Sequence, residues 1–165
     1  MTEDDNPITS ADWLLLQLGG VCQLSFAASS NSAAGWNAVG EGDVLIETAT
    51  RDQVIFREFG RWKSPEGREF RFRNVYRWSR TGDDRVRLEH LRMGAGRPVL
   101  LFDLEHEGDG CWRSVNGHQC KEDCYSAELR VEESGVRLEW LISGLGRRDV
   151  IGYDYRSTAA QPRRS

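Results

Sequence analysis

From Cys22 to Arg156 the apolar residues of this chain recur at every second position, in short runs separated by turn-forming residues. Period two marks strands with one buried face, because successive side chains of an extended backbone point to opposite sides. Cys22, Leu24 and Phe26 open the pattern, followed by Val44 and Ile46, then by Val54, Phe56 and Trp62. Phe70, Phe72, Asn74, Tyr76 and Trp78 share one face of the next run, and Arg71, Arg73, Val75 and Arg77 share the other. Val86, Leu88 and His90 continue it, then Pro98 to Leu104, Asp123 to Val131, Val136 to Ser143 and Val150 to Arg156. The runs amount to about nine or ten strands.

Ser64-Pro65-Glu66-Gly67, Gly82-Asp83-Asp84, Met93-Gly94-Ala95-Gly96 and Glu133-Ser134-Gly135 supply turns of hairpin length. Such turns join antiparallel neighbours, so the strands are predicted to form a meander. A meander this long has exposed edges unless it closes on itself, which favours an up-and-down barrel over a two-sheet sandwich. Gly40 and Gly42, inside a strand, indicate a bend or a close backbone approach.

One helix precedes the strands. Ser10 reads as its N-cap, Ala11 to Leu18 as its body, and Gly19-Gly20 as a left-handed terminus. Its expected position is over one end of the barrel. Residues 1–8 read as a disordered lead, 9–158 as a single barrel domain and 159–165 as a frayed tail.

Hydrophobic residues make up 39% of the 165, with six Trp and six Phe among them, which is enough for a substantial core. The net charge is −4, and the arginines alternate with apolar residues along strands. That pattern describes one wet strand face and argues against a nucleic-acid-binding stripe. No run approaches the ~20 apolar residues of a membrane span. The start of the chain is acidic and lacks a secretory signal, so a cytoplasmic location is expected, with the four cysteines as reduced thiols.

The inward face is too polar for a plain core. It carries Asn74, Tyr76, His90, Asp123, Tyr125, Tyr153 and Tyr155, and Glu58 joins them if Val54, Phe56 and Trp62 point inward. Burying such groups without partners costs several kcal/mol each, so they pair with one another, with water or with a ligand. A barrel of this size can enclose one small molecule between apolar walls and a few polar groups. The expected ligand is small and hydrophobic or amphipathic, with a polar or acidic group. The candidate binding residues are Arg57, Glu58, Asn74, Tyr76, Trp78, His90, Cys120 and Trp140. Arg57 would meet an acidic group if its face is the inner one.

The densest chemical cluster is His118-Gln119-Cys120-Lys121-Glu122-Asp123-Cys124-Tyr125. Three readings stay open. His118 and Asp123 can hydrogen-bond to pin a loop. They can form an acid–base pair with Tyr125 as donor, in a small isomerase, cyclase or hydrolase. His118, Cys120 and Asp123 can also ligate a metal, although their spacing matches no common zinc motif. Haem or metal binding through His118 or His90 is a further alternative, but no cofactor is expected. His106 reads as an exposed turn residue. No GxSxG, P-loop or GxGxxG sequence is present.

The chain resembles an uncharacterised bacterial and fungal family of calycin-like barrels. The resemblance is carried by Phe56-Arg57-Glu58-Phe59-Gly60, Phe72-Arg73-Asn74-Val75-Tyr76-Arg77-Trp78 and Leu88-Glu89-His90-Leu91-Arg92. Pro98 to Leu104, Trp112-Arg113-Ser114, His118-Gln119-Cys120 and Asp123-Cys124-Tyr125 continue it. Gly117 departs from the pattern, where proline is expected before His118. The resemblance implies a calycin-type barrel with one N-terminal helix and brings no established activity. Calycin-like barrels in general bind small hydrophobic molecules, an analogy at the level of fold.

Overall fold

The computed structural model describes residues 8–31, 37–115, 118–120, 123–144 and 146–157, with the side chains of 118–120 and 123 outside the described set. Helix α1 (Ser10–Leu18) is followed by β1 (Val21–Ser30), β2 (Ala38–Ala49), β3 (Gln53–Lys63) and β4 (Glu69–Gly82). Then come β5 (Arg85–His90), β6 (Val99–Gly108), β7 (Cys111–Ser114) and β8 (His118–Cys120). The last three are β9 (Asp123–Glu132), β10 (Gly135–Gly144) and β11 (Arg147–Ser157).

Each strand pairs antiparallel with the next, except that β7 and β8 both lie along β9. The ring closes where β1, already paired with β2, also takes β11. Ten strands therefore form the wall, and β8 extends one edge of β9. The sandwich alternative is excluded by this closure.

Period two sets which side chains go in. Along β3, Val54, Phe56 and Glu58 are buried while Arg57 and Phe59 face water. The outer face carries arginines opposite acids across the registered pairs: Arg77–Glu89, Arg87–Asp103 and Arg137–Asp154, at 3.0, 2.8 and 2.9 Å. The alternating arginines are indeed the wet face of the wall.

Helix α1 lies against β3, β4, β5 and β10 and closes one end. Its N-cap is Thr9, one residue before the position expected. The Thr9 hydroxyl accepts from the Asp12 N–H at 3.1 Å, and the Asp12 carboxylate accepts from the Thr9 N–H at 3.2 Å. This reciprocal capping box needs an acid three residues after the cap, and only Thr9 has one there. At the other end Gly19 is right-handed, φ −64°, so no left-handed terminus forms. A Cβ at Gly20 would lie 2.8 Å from the Ser157 hydroxyl oxygen, which donates to the Gly20 carbonyl, so a larger residue there would displace that hydroxyl.

Four of the five register shifts lie near the helix-capped end, at Val21/Gln23, Ile46/Thr48, Arg80/Gly82 and His106/Gly108. Bulges bend strands and increase their twist, and these lie where α1 closes the barrel. Further up, Gly42 and Gly60 face each other across β2 and β3, and a Cβ on Gly42 would sit 2.3 Å from the Phe59 carbonyl oxygen. The close approach expected at Gly40 and Gly42 is thus present: a Cβ on Gly40 would run into the Phe26 ring, and one on Gly42 into the β3 backbone.

His106 is not in the turn. The two-residue turn is Asp109-Gly110, with φ of +51° and +72°, and His106 sits within β6 with its ring 5.0 Å from that of Trp112. Aspartate followed by glycine suits this left-handed hairpin turn, which leaves the residues before Gly108 in the strand.

Candidate functional site

The barrel interior changes character along its axis. Near the helix it is dry: Leu14, Leu18, Leu24, Phe56, Trp78, Leu88, Leu104, Trp112, Leu129 and Leu138 are all at most 1% exposed. Toward the far end the inward residues Trp62, Phe72, Asn74, His90, Tyr125, Trp140 and Ile151 are only half-buried. Inward side chains that remain partly accessible mark a less tightly filled region of the interior, the cup, at the end away from the helix. From the level of Tyr155 to Asp149 at the lip is six residues of β11, roughly 20 Å of extended strand.

Between the dry base and the cup lies a polar layer. The Tyr155 hydroxyl donates to Glu58 Oε2 at 2.6 Å, and Asn74 Nδ2 reaches Oε1 at 3.5 Å. Asn74 Oδ1 in turn lies 3.3 Å from His90 Nε2, and His90 Nδ1 accepts from the Arg92 N–H at 2.9 Å. The backbone donor at Nδ1 fixes the imidazole as the Nε2–H tautomer, which then donates to Asn74. Tyr76 and Tyr153 stand beside the same carboxyl. The layer draws on β3, β4, β5 and β11, whose register places Glu58 opposite Asn74 and Tyr76 opposite His90.

Glu58 is 1% exposed, and burial pushes its carboxyl up to about 7 even though Tyr155 and Asn74 stabilise the charged form. Burial also raises Tyr76, Tyr153 and Tyr155, so all three hydroxyls stay protonated donors. His90 is lowered by burial and by the Arg92 charge, which favours neutral imidazole. At the lip, burial raises Asp149, but Ser30 and Arg147 more than offset it and hold the carboxylate below its ordinary value.

The cup walls are aromatic. Phe26 meets Phe72 edge-on at 5.5 Å and Tyr153 at 5.4 Å. Trp140 lies 5.1 Å from Phe102 and 6.0 Å from Tyr153, and Trp62 stacks on Phe70 at 4.4 Å. The Nε1–H of Trp140 is buried without an acceptor.

The structure brings Glu58, Asn74, Tyr76 and His90 together, with Trp140 above them. Trp78 lies deeper, in the dry base against Phe56 at 5.8 Å between ring centres. Arg57 points outward and pairs with Glu47 at 3.0 Å, because Glu58 and not its neighbour takes the inner position. The condition for its meeting a ligand is not met. In the polar cluster, the backbone register sets His118 opposite Tyr125 and Cys120 opposite Asp123. The side chains of His118, Cys120 and Asp123 lie outside the described residues, whereas Tyr125 packs against the core. Among the described residues no three His, Cys, Asp or Glu side chains converge on a metal position, and Cys22, Cys111 and Cys124 are free thiols. Tyr153 and Tyr155, inward polar groups in the sequence but not among its binding candidates, stand in or beside the layer, and Asp149, not singled out by the sequence, lies at the lip. Their signal was the alternation Asp149-Ile151-Tyr153-Tyr155 at the end of the chain.

These features define a closed antiparallel β-barrel with a helix-plugged base, a partly accessible far end and a buried carboxyl–tyrosine layer. A family of unknown function, DUF6314, matches residues 18–157, and the chain belongs to that family. No curated protein matches it. Among solved structures it is similar to EF1p2_mFAP2b bound to DFHBI, at 7% identity and a TM-score of 0.45, covering 90% of this chain and 100% of that one. It is also similar to a redesigned beta barrel, mFAP1, bound to DFHBI, at 9% identity and a TM-score of 0.42, covering 87% and 97%. Among the described residues no helix is long and apolar enough to cross a membrane.

Proposed function

We propose that this protein binds a small, largely apolar molecule in the cup, with a polar group directed at the Glu58 layer. The observation that carries this reading is the accessibility of inward-facing aromatic side chains at one end of a barrel whose other end is dry. Apolar walls above a few placed polar groups are the usual composition of a ligand site. Among the described residues, polar atoms beside the cup are under-used: Glu58 Oε1 has only the long Asn74 contact, and the Trp140 Nε1–H has no acceptor, a lack it shares with Trp78 and Trp112 in the dry base. Leaving such groups unpaired costs roughly 1–3 kcal/mol each, which a ligand atom or water relieves.

Native mass spectrometry of freshly purified protein, before and after organic extraction, tests the reading. A co-purified mass removed by extraction supports it. A clean mass, together with no change in melting temperature across a panel of apolar amphiphiles, overturns it.

A second reading is an acid–base enzyme using the same cup, favoured by the register that pairs His118 with Tyr125 near its lip. It predicts turnover that falls when either residue is replaced while ligand affinity is retained.

A further inference from the structure

The polarity of the cup is one-sided. Among the described residues its inward acids are Glu58, and Asp149 at the lip, where Arg147 pairs with it at 2.6 Å. The arginines of the strands that frame Glu58 point outward: Arg57, Arg73 and Arg77 on β3 and β4, and Arg137 and its partner Asp154 on β10 and β11. Arg80 is inward but lies at the helix-capped end, where it pairs with Asp12 at 3.2 Å. Glu58 therefore has hydrogen-bonding partners but no cation of its own.

A buried carboxylate without a counter-charge is expensive, and an entering cation relieves that cost. Its Oε1 lacks a strong donor, since the 3.5 Å contact with Asn74 lies at the outer limit of a hydrogen bond. The walls above it include the rings of Phe26, Phe72, Trp140 and Tyr153, and the electron-rich face of such a ring attracts an ammonium or its adjoining methylenes. An anionic ligand would meet a second negative charge at Glu58, while the described cations that border the cup, Arg147 on Asp149 and Arg92 beyond His90, do not pair with Glu58.

Resting on the ligand-binding reading above, we propose that the cup selects an apolar amine, whose protonated nitrogen bonds the Glu58 carboxylate. The groups facing Glu58 are Tyr155 and Tyr153 on β11 and Asn74 and Tyr76 on β4. β2 presents Val44, and His90 on β5 stands beyond Asn74. None of these supplies a positive charge while His90 is neutral. Because the free carboxyl titrates near neutrality, uptake of the amine displaces a proton from Glu58 when the solution is acidic. Affinity for the amine then rises about tenfold between roughly pH 6 and pH 8 and levels off above.

The test is calorimetric titration of the full chain with three probes of one shape: naphthylmethylamine, naphthylmethanol and naphthoate. The expected order is amine tightest and carboxylate weakest, with the amine-to-alcohol preference falling tenfold or more in Glu58→Gln. Alcohol binding by the variant shows that its cup is intact. Naphthoate bound as tightly as the amine overturns the proposal, as does a preference unchanged in Glu58→Gln. If that variant does not fold, an amine affinity that is flat across the same pH range in the unaltered protein overturns it. Tight alcohol binding without amine preference would sink this inference alone. Failure of all three probes to bind, with no extractable mass, would sink the binding reading with it.

Discussion

At the scale of the residue, Glu58 couples folding to pH, and the direction follows from its environment. Its carboxyl titrates near 7 in the fold and near 4.5 when exposed, so between those values the folded protein holds the proton more tightly than the unfolded chain. Stability from this group is fully present below the lower value and is lost as pH rises through the upper one. The shift is worth about 3 kcal/mol for a group this deeply buried. Glu58→Gln keeps the shape and an acceptor but cannot ionise. Near pH 5 the variant should match the parent within about 1 kcal/mol, and near pH 8 it should exceed it by up to about 3 kcal/mol. Urea midpoints at the two pH values measure this. A parent–variant difference independent of pH would mean that Glu58 does not titrate in this range.

At the scale of the element, two local devices hold the barrel in shape. The capping box at Thr9 ends α1 cleanly and sets Asp12 between Arg80 at 3.2 Å and Arg51 at 3.6 Å, fastening the plug to β4 and to the β2–β3 turn. Thr9→Ala should cost about 1 kcal/mol, the usual worth of an N-cap hydroxyl, read as a lowered thermal midpoint with an unchanged barrel spectrum. At the other device, Gly60 would place a Cβ 2.1 Å from the Glu41 carbonyl oxygen. Both chains there are strand backbone and neither is a flexible side chain, so the strands themselves must part. Gly60→Ala should therefore cost about 1–3 kcal/mol or more, and an unaltered denaturation midpoint would show that this wall yields easily.

At the scale of the whole molecule, closure decides where the protein is hard to open. β1 and β11 are the first and last strands, yet each is paired on both sides, β1 with β2 and β11, and β11 with β1 and β10. Terminal strands of an open sheet fray, whereas these have no free edge. Backbone amides of Leu24 to Ala28 and of Ile151 to Tyr155 should exchange with solvent as slowly as those of β3 and β4. Hydrogen-exchange mass spectrometry reports this directly, and early exchange of β1 and β11 alone would contradict a closed ring. Most of these contacts join distant parts of the chain, so folding should be slow for a domain of this size.

The sequence by itself determined the long strands, their antiparallel order and the plugging helix, but not β7 and β8, which are too short for alternation to show. What it determined follows from local chemistry: alternation sets the faces of a strand, and turn residues set where it reverses. The family resemblance was legible for the same reason. The sequence could not determine which face of Val54 to Trp62 looks inward, because Phe56, Glu58 and Trp62 on one side are balanced by Ile55, Arg57 and Phe59 on the other. Closure of the ring broke that tie. It sent Arg57 out to Glu47 and Glu58 in to Tyr155, a partner 97 residues further along the chain. It also assembled the layer around Glu58 from four strands. Pairing at that separation depends on which strands the barrel brings face to face, and only the tertiary structure decided it.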